Sequence, residues 1–210
     1  FLSSGQCQRA IEVMSPLYNS IYVDLEIRMV YASAHACAGG FNFVTLAAAL
    51  AGSGNLFAKL VAGNYSASNI DQKTTNLQAA AQILRSTTTN PGSLAAVDRP
   101  SEANVYMLFL QLEIISTTIS TTAMGNGDPI TGAKGNAITG LGTNTDKCNI
   151  VVAMATISNC SSVVSVGSAI DAVTAACGGA CPTNLNPAVC TAVEQAQGDA
   201  LIIALDGLWQ

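Results

Sequence analysis

The sequence predicts an all-α fold built from antiparallel helix pairs packed in a bundle, and three observations predict it. Apolar residues recur at spacings of three and four along most of the chain, which collects them on one face of a helix. Glycine and proline fall between those segments rather than inside them, as turns require. Strand signals are weak: the β-branched pairs Val151-Val152 and Val163-Val164 stand among Ala, Ser and Gly.

In chain order, Cys7, Ala10, Ile11, Met14 and Leu17 share a face, and Pro16 fits the end of that first helix. A turn follows around 17–20. The second helix runs roughly from Val23 to Ala38, with Leu25, Met29, Ala32 and Ala36 on one stripe and Asp24, Glu26 and Arg28 near its start. Gly39-Gly40 stops it in the manner of a left-handed cap. An antiparallel pair joined by a short turn brings Cys7 to Cys37, and a bridge between them is expected. Short apolar helices are expected over Phe43–Leu50 and Leu56–Ala62, hinged at Gly52-Ser53-Gly54. Asn69 or Asp71 then caps a helix through Leu77, Ala80, Ala81 and Leu84, which ends in the threonine run 87–89. After the Asn90-Pro91-Gly92 turn, Pro100-Ser101-Glu102 opens the most apolar helix, Ala103 to about Thr122, with Ser101 as its cap.

The chain divides into a helical region over 1–123, a Gly/Asn/Thr-rich loop over 124–146 and a cysteine-rich helical region over 147–210 packed on the first. Residues 124–146 hold Gly125, Gly127, Gly132, Gly135, Gly140 and Gly142 with few large apolar groups, and are expected to lack structure. Cys148–Ile157, Val163–Cys177 and Pro187–Leu208 then read as helices stapled by cysteines.

Composition excludes several functional classes. Charged residues make up only 10% and the net charge is −5, with no cluster of Lys and Arg, so no nucleic-acid partner is expected. A chain that is 50% hydrophobic and weakly charged is not disordered. The apolar stretch 41–63 is interrupted by Gly52-Ser53-Gly54-Asn55, and that at 105–119 carries Gln111 and Glu113, so neither reads as a membrane span. Seven cysteines, Cys7, Cys37, Cys148, Cys160, Cys177, Cys181 and Cys190, suit an oxidising compartment. Their spacing lacks the two close pairs of a zinc site, so disulfides are expected and no metal or cofactor. An odd number leaves at least one thiol free, bonded to another chain or lost, and the connectivity of the late cysteines stays open. Phe1 opens the chain in place of Met, which suggests a removed leader or a trimmed end.

The residues Ala10-Ile11, Pro16-Leu17-Tyr18, Asp24, Glu26-Ile27-Arg28, Tyr31-Ala32-Ser33-Ala34 and Ala38-Gly39 resemble a tetratricopeptide-type helix pair, in which small residues let two helices approach closely. The 34-residue consensus, with its Trp, Leu-Gly and Tyr, does not recur. Over residues 6–122 the arrangement looks like bacterial outer-membrane lipoproteins related to the T component associated with TRAP transporters. That resemblance implies a TPR-like arrangement of the helix pairs, a periplasmic or outer-membrane location, a lipidated cysteine before Phe1, and work alongside periplasmic binding proteins on small apolar or carboxylate ligands.

Candidate sites are sparse. His35, the chain's one histidine, sits in an alanine-rich helix without a partner nucleophile in sequence, and reads as packing. No nucleophile elbow, zinc-protease, P-loop or dinucleotide motif occurs in its proper context. Asp128, Asn136, Asn144 and Asp146 supply oxygens for calcium, but Pro129-Ile130 breaks the EF-hand pattern, and a solvated loop is the reading. Asn64 and Asn159 stand in glycosylation triplets. Phe41, Phe43, Leu46, Phe57, Met107 and Phe109 form the apolar clusters, read first as core and then as the lining of a ligand cavity. Glu113, in the middle of an apolar helix, either pairs with Arg28 or Arg85 or faces that cavity. The expected function is a non-enzymatic extracytoplasmic scaffold that binds another protein, an accessory to solute uptake. Its rival is a carrier of a lipid or other apolar molecule between helices, and an oligomer is open to either. A hydrolase would need His35 beside an exposed Ser or Cys.

Overall fold

Asp24 starts the first long helix of the fold by lying outside it. Its carboxylate accepts the Ile27 N–H at 2.8 Å, satisfying a donor that the helix start leaves open. Helix α2 therefore spans Leu25–Ala38, starting two residues after the expected Val23, with Asp24 as its cap. The structure, a computed structural model, describes residues 5–19, 24–42, 46, 55–64, 70–90, 93–128, 130–163, 168–176 and 184–209.

Helix α1 (Cys7–Tyr18) precedes α2, and Pro16 falls inside its last turn rather than ending it. Cys7 and Cys37 form the expected disulfide, their Cα atoms 5.5 Å apart, which ties the start of α1 to the end of α2. Gly40, at φ 88°, supplies the left-handed residue after α2. At Gly39 a Cβ would meet Leu77 Cγ at 2.6 Å, so a glycine there lets the end of α2 lie directly on the fourth helix.

Helices α3 (Leu56–Asn64) and α4 (Ile70–Arg85) follow. The expected helix over Phe43–Leu50 and the Asn69 cap fall outside the described residues, Leu46 excepted, which is helical and buried. Asp71 lies in the first turn of α4. Helix α5 (Ser101–Ala123) begins one residue earlier than a Ser101 cap would place it: the capping position belongs to Pro100, and no side chain caps the helix there. Proline has no N–H to satisfy, so the site tolerates it.

The α5 interior is buried on every side from Leu110 to Ser120, and α6 (Asn144–Ser161) is buried from Cys148 to Ile157. A helix apolar around most of its circumference belongs in the middle of a domain. Helix α1 packs on α2, α2 on α4, α4 on α5, α5 on α6 and α6 on α8 (Ala192–Leu208). Helix α3 lies against α5, and α7 (Ser168–Ala176) against α6 and α8. Pairings fix the antiparallel sense: His35 meets Asn76 and Arg28 meets Ser86 across α2 and α4, while Asn104 meets Cys160 across α5 and α6. No strand occurs among the described residues, and the bundle is all-α.

The cysteine-rich end follows the expected pattern with shifted bounds. Helix α6 starts at Asn144, within the segment expected to be loop, because Thr143 caps it by accepting the Asp146 N–H. Pro187–Val189 is a short 3-10 turn, and α8 starts only at Ala192 behind a Thr191–Glu194 capping box. Cys148 and Cys190 form the second disulfide, with Cα atoms 5.9 Å apart, and Cys160 is a free, buried thiol. Cys177 and Cys181 lie outside the described residues. Two disulfides belong to an oxidising, extracytoplasmic compartment. Among the described residues no helix is long and apolar enough to cross a membrane.

The glycine-rich segment 124–143 departs furthest from expectation, because it is packed. Asp128 and Ala133 pair in a tight turn, and the Asp128 carboxylate accepts the Ile130 N–H and the Thr131 hydroxyl. Gly135 and Asn136 donate their N–H groups to Ala123 O at the end of α5. Gly132, at φ 70°, lies so close to α3 that a Cβ would sit 1.7 Å from Ala58 O. Its carbonyl accepts the indole N–H of Trp209, which is fully buried and stacks on Phe57 at 6.2 Å. Lys134 pairs with Asp206 at 2.6 Å, and the same carboxylate accepts the Ile138 N–H. Gly132 serves close contact with α3, while Gly125, Gly127 and Gly135 let the segment fold tightly on itself.

Candidate functional site

On α4, residues Asp71, Thr74, Thr75, Gln78, Ala79 and Gln82 recur at three and four and form one face, opposite the buried Leu77, Ala80, Ala81 and Leu84. Asp71, Thr75 and Gln82 on that face are exposed, and Thr74, Gln78 and Ala79 are partly buried. The face forms one wall of a cleft of about 760 Å³. The facing wall comes from Thr118 and Thr122 on α5 and from Thr145, Asp146 and Asn149 in the first turns of α6, with Leu141 and Gly142 closing one end.

Its floor is buried and hydrogen-bonded. Gln78 donates its Nε2 to Asn149 Oδ1 at 3.0 Å, which joins α4 to α6 across the base. Its Oε1 is buried with no hydrogen-bond partner among the described residues, an open acceptor on a side chain that lines the cleft. The Thr118 hydroxyl donates to Ile114 O at 2.6 Å, keeping its own oxygen available as an acceptor. At the rim the Thr143 hydroxyl donates to Asp146 at 2.6 Å, which holds that carboxylate over the start of α6. Asp71 lies at the other side, and no Lys, Arg or His is among the lining residues. Two carboxylates, an open buried acceptor and a series of hydroxyl and amide oxygens suit a ligand that donates hydrogen bonds or carries positive charge.

The residues singled out in the sequence lie elsewhere. Leu46, Phe57 and Met107 are buried core, and Phe41 and Phe109 are partly buried against it. Phe43 is outside the described residues. The Phe41 ring lies 5.4 Å from that of Tyr106, and the Met107 sulfur accepts Gln111 Nε2 at 3.2 Å. Glu113 is 2% exposed, and its charged neighbour is Lys73 of α4 rather than either arginine. Arg28 donates to the Ser86 carbonyl and hydroxyl at 2.7 Å, and Arg85 lies beside Arg99. Burial pushes the Glu113 carboxyl up to about 8, against the opposing pull of Lys73.

His35 packs edge-on against Tyr31 at 4.8 Å and meets Asn76 at 3.4 Å, with burial holding its pKa below the ordinary value. Among the described residues no group of three or more His, Cys, Asp or Glu side chains is placed to hold a metal ion. Asp128 and Asp146 are each engaged in a local turn or cap. Sequence reasoning missed the cleft because a polar stripe on an amphipathic helix looks the same whether it faces water or a second polar wall. The signal that was present is the matching polar run Thr117-Thr118 to Thr121-Thr122, late in a helix otherwise apolar.

No protein-family model, curated protein or solved structure matches the chain.

Proposed function

We propose that this protein is a non-enzymatic, extracytoplasmic scaffold that receives a polar, donor-bearing segment of a partner protein in the cleft between α4, α5 and α6. The observation that carries the reading is the cleft's lining: acceptor oxygens and two carboxylates around the open Gln78 acceptor, without a cation. A lysine- or arginine-containing segment complements that surface, and the net charge of −5 steers such a partner towards it. The apolar clusters support the same choice over an apolar carrier, since Leu46, Phe57 and Met107 are each at most 1% exposed and belong to one continuous core. The role as an accessory to solute uptake, and attachment as a periplasmic or outer-membrane lipoprotein, belong to this proposal through the resemblance of residues 6–122 alone.

The test places a photo-crosslinking residue at Gln82, on the cleft rim, and separately at Val97, which is 76% exposed and outside the cleft, in cells of the native host. A protein adduct of defined mass from position 82 and none from 97 is the expected result. Equal labelling at both positions, or none at 82, overturns the reading.

A further inference from the structure

Where α4 ends, α5 begins and α6 ends, two arginines are buried side by side. Arg85, the last residue of α4, is 8% exposed, and its Nε and Nη2 have no hydrogen-bond partner among the described residues. Those two nitrogens form one edge of the guanidinium, with two N–H groups pointing the same way. Arg99 is 6% exposed and held at each nitrogen: Nε donates to Asn104 Oδ1 at 3.0 Å, Nη1 to Leu94 O at 2.8 Å and Nη2 to Cys160 Sγ at 3.6 Å. Asn104 is itself fixed by donating to Ala96 O at 2.8 Å. Arg28, on the Ser86 carbonyl next along the chain, adds a third positive charge and leaves only Arg9 elsewhere.

No carboxylate forms an ion pair with Arg85 or Arg99 among the described residues. Burying a guanidinium with two open donors beside a like charge is costly, and an anion between them relieves both penalties. Repulsion from Arg99 adds to burial in holding Arg85 down at about 10. The Cys160 thiol does not fill the role as a thiolate, because burial raises its pKa further than the arginines lower it. The neutral S–H donates to Asn104 Oδ1 at 3.7 Å, so the thiol is engaged with the residue that also holds Arg99.

We propose that Arg85 and Arg99 form an internal binding site for a small oxyanion, separate from the cleft of the scaffold reading. The Arg85 edge takes two of its oxygens side by side, and Arg99 supplies the second charge. Carboxylates and tetrahedral oxyanions share the pair of oxygens that this edge matches.

Equilibrium dialysis of the whole protein against labelled sulfate and labelled inorganic phosphate in a low-chloride buffer tests the site. Saturable uptake of a single equivalent is expected, about tenfold or more weaker in Arg85→Gln and unchanged in Arg9→Gln. Displacement by acetate assigns the site to carboxylates, and failure of acetate to displace assigns it to inorganic oxyanions. Arg85→Lys keeps the charge without the two-pronged edge and weakens binding by a similar factor, which decides the matter if Arg85→Gln does not fold. Absence of saturable binding, or binding equally tight in the Arg85 variants, overturns the proposal.

Discussion

Glu113 is held inside the bundle at 2% exposure, with burial raising its carboxyl to about 8 from the ordinary 4.5. Between those two values the folded chain keeps a proton that the unfolded chain releases, so stability is greatest below the ordinary value and is lost as pH rises towards 8. A tenfold change in proton affinity corresponds to about 1.4 kcal/mol, and the whole effect is on the order of a few kcal/mol. Glu113→Gln keeps the shape and removes the titration. Its urea midpoint is expected to change little with pH over this range and to exceed that of the native protein above pH 8. Midpoints that run parallel for the two proteins would contradict the assignment. At this scale the sequence was only partly legible. An acid in an apolar helix marks itself as unusual, but whether Arg28, Arg85 or Lys73 faces it depends on how α4 is rotated against α5. Asp24 was visible as an acid near a helix start, and its role as a cap depended on the start lying two residues later.

At the scale of elements, α1 and the glycine-rich segment behave in opposite ways. Helix α1 buries only Ala10 and is held by the Cys7–Cys37 disulfide, which closes a loop of sequence separation 30. Replacing both cysteines by Ala is expected to cost about 3–4 kcal/mol by chain entropy. Hydrogen exchange is expected to rise throughout α1 while α5 and α6 stay protected, since those two make the core. Uniform deprotection of all three helices would show that α1 is integral to the core after all. The segment 124–143 is held by packing instead. Gly132→Ala meets both a left-handed backbone at φ 70° and the carbonyl of Ala58, so a loss of about 2–4 kcal/mol in urea unfolding is expected, together with weaker protection of the Trp209 indole N–H. An Ala variant as stable as the native chain would mean that the contact with α3 is not formed. The helices were legible because three-and-four spacing is a local property of the chain. The order in the glycine-rich segment was not, because a glycine needed for close approach to Ala58 reads the same as one in a mobile loop. The Cys7–Cys37 bridge followed from a local hairpin, whereas Cys148–Cys190 requires knowing how α6 and α8 dock.

For the whole molecule, the helices pack so that α5 and α6 are enclosed by their neighbours, and two groups of polar side chains drawn from several helices stand out. One is the cleft between α4, α5 and α6, with its open Gln78 acceptor, and the other is the corner of Arg85 and Arg99. Neither could be assembled from one segment of sequence, because each draws on three helices distant along the chain. The cleft carries the functional account, and a binding partner is its central claim. Native mass spectrometry of the protein isolated from its own host, beside a Gln78→Leu/Asp146→Asn double variant isolated in the same way, tests that claim most directly. The account expects a complex with a second protein at fixed stoichiometry, lost in the double variant while the variant's own mass and fold are retained. A chain found alone, or one that retains an apolar small molecule irrespective of the two substitutions, would contradict it.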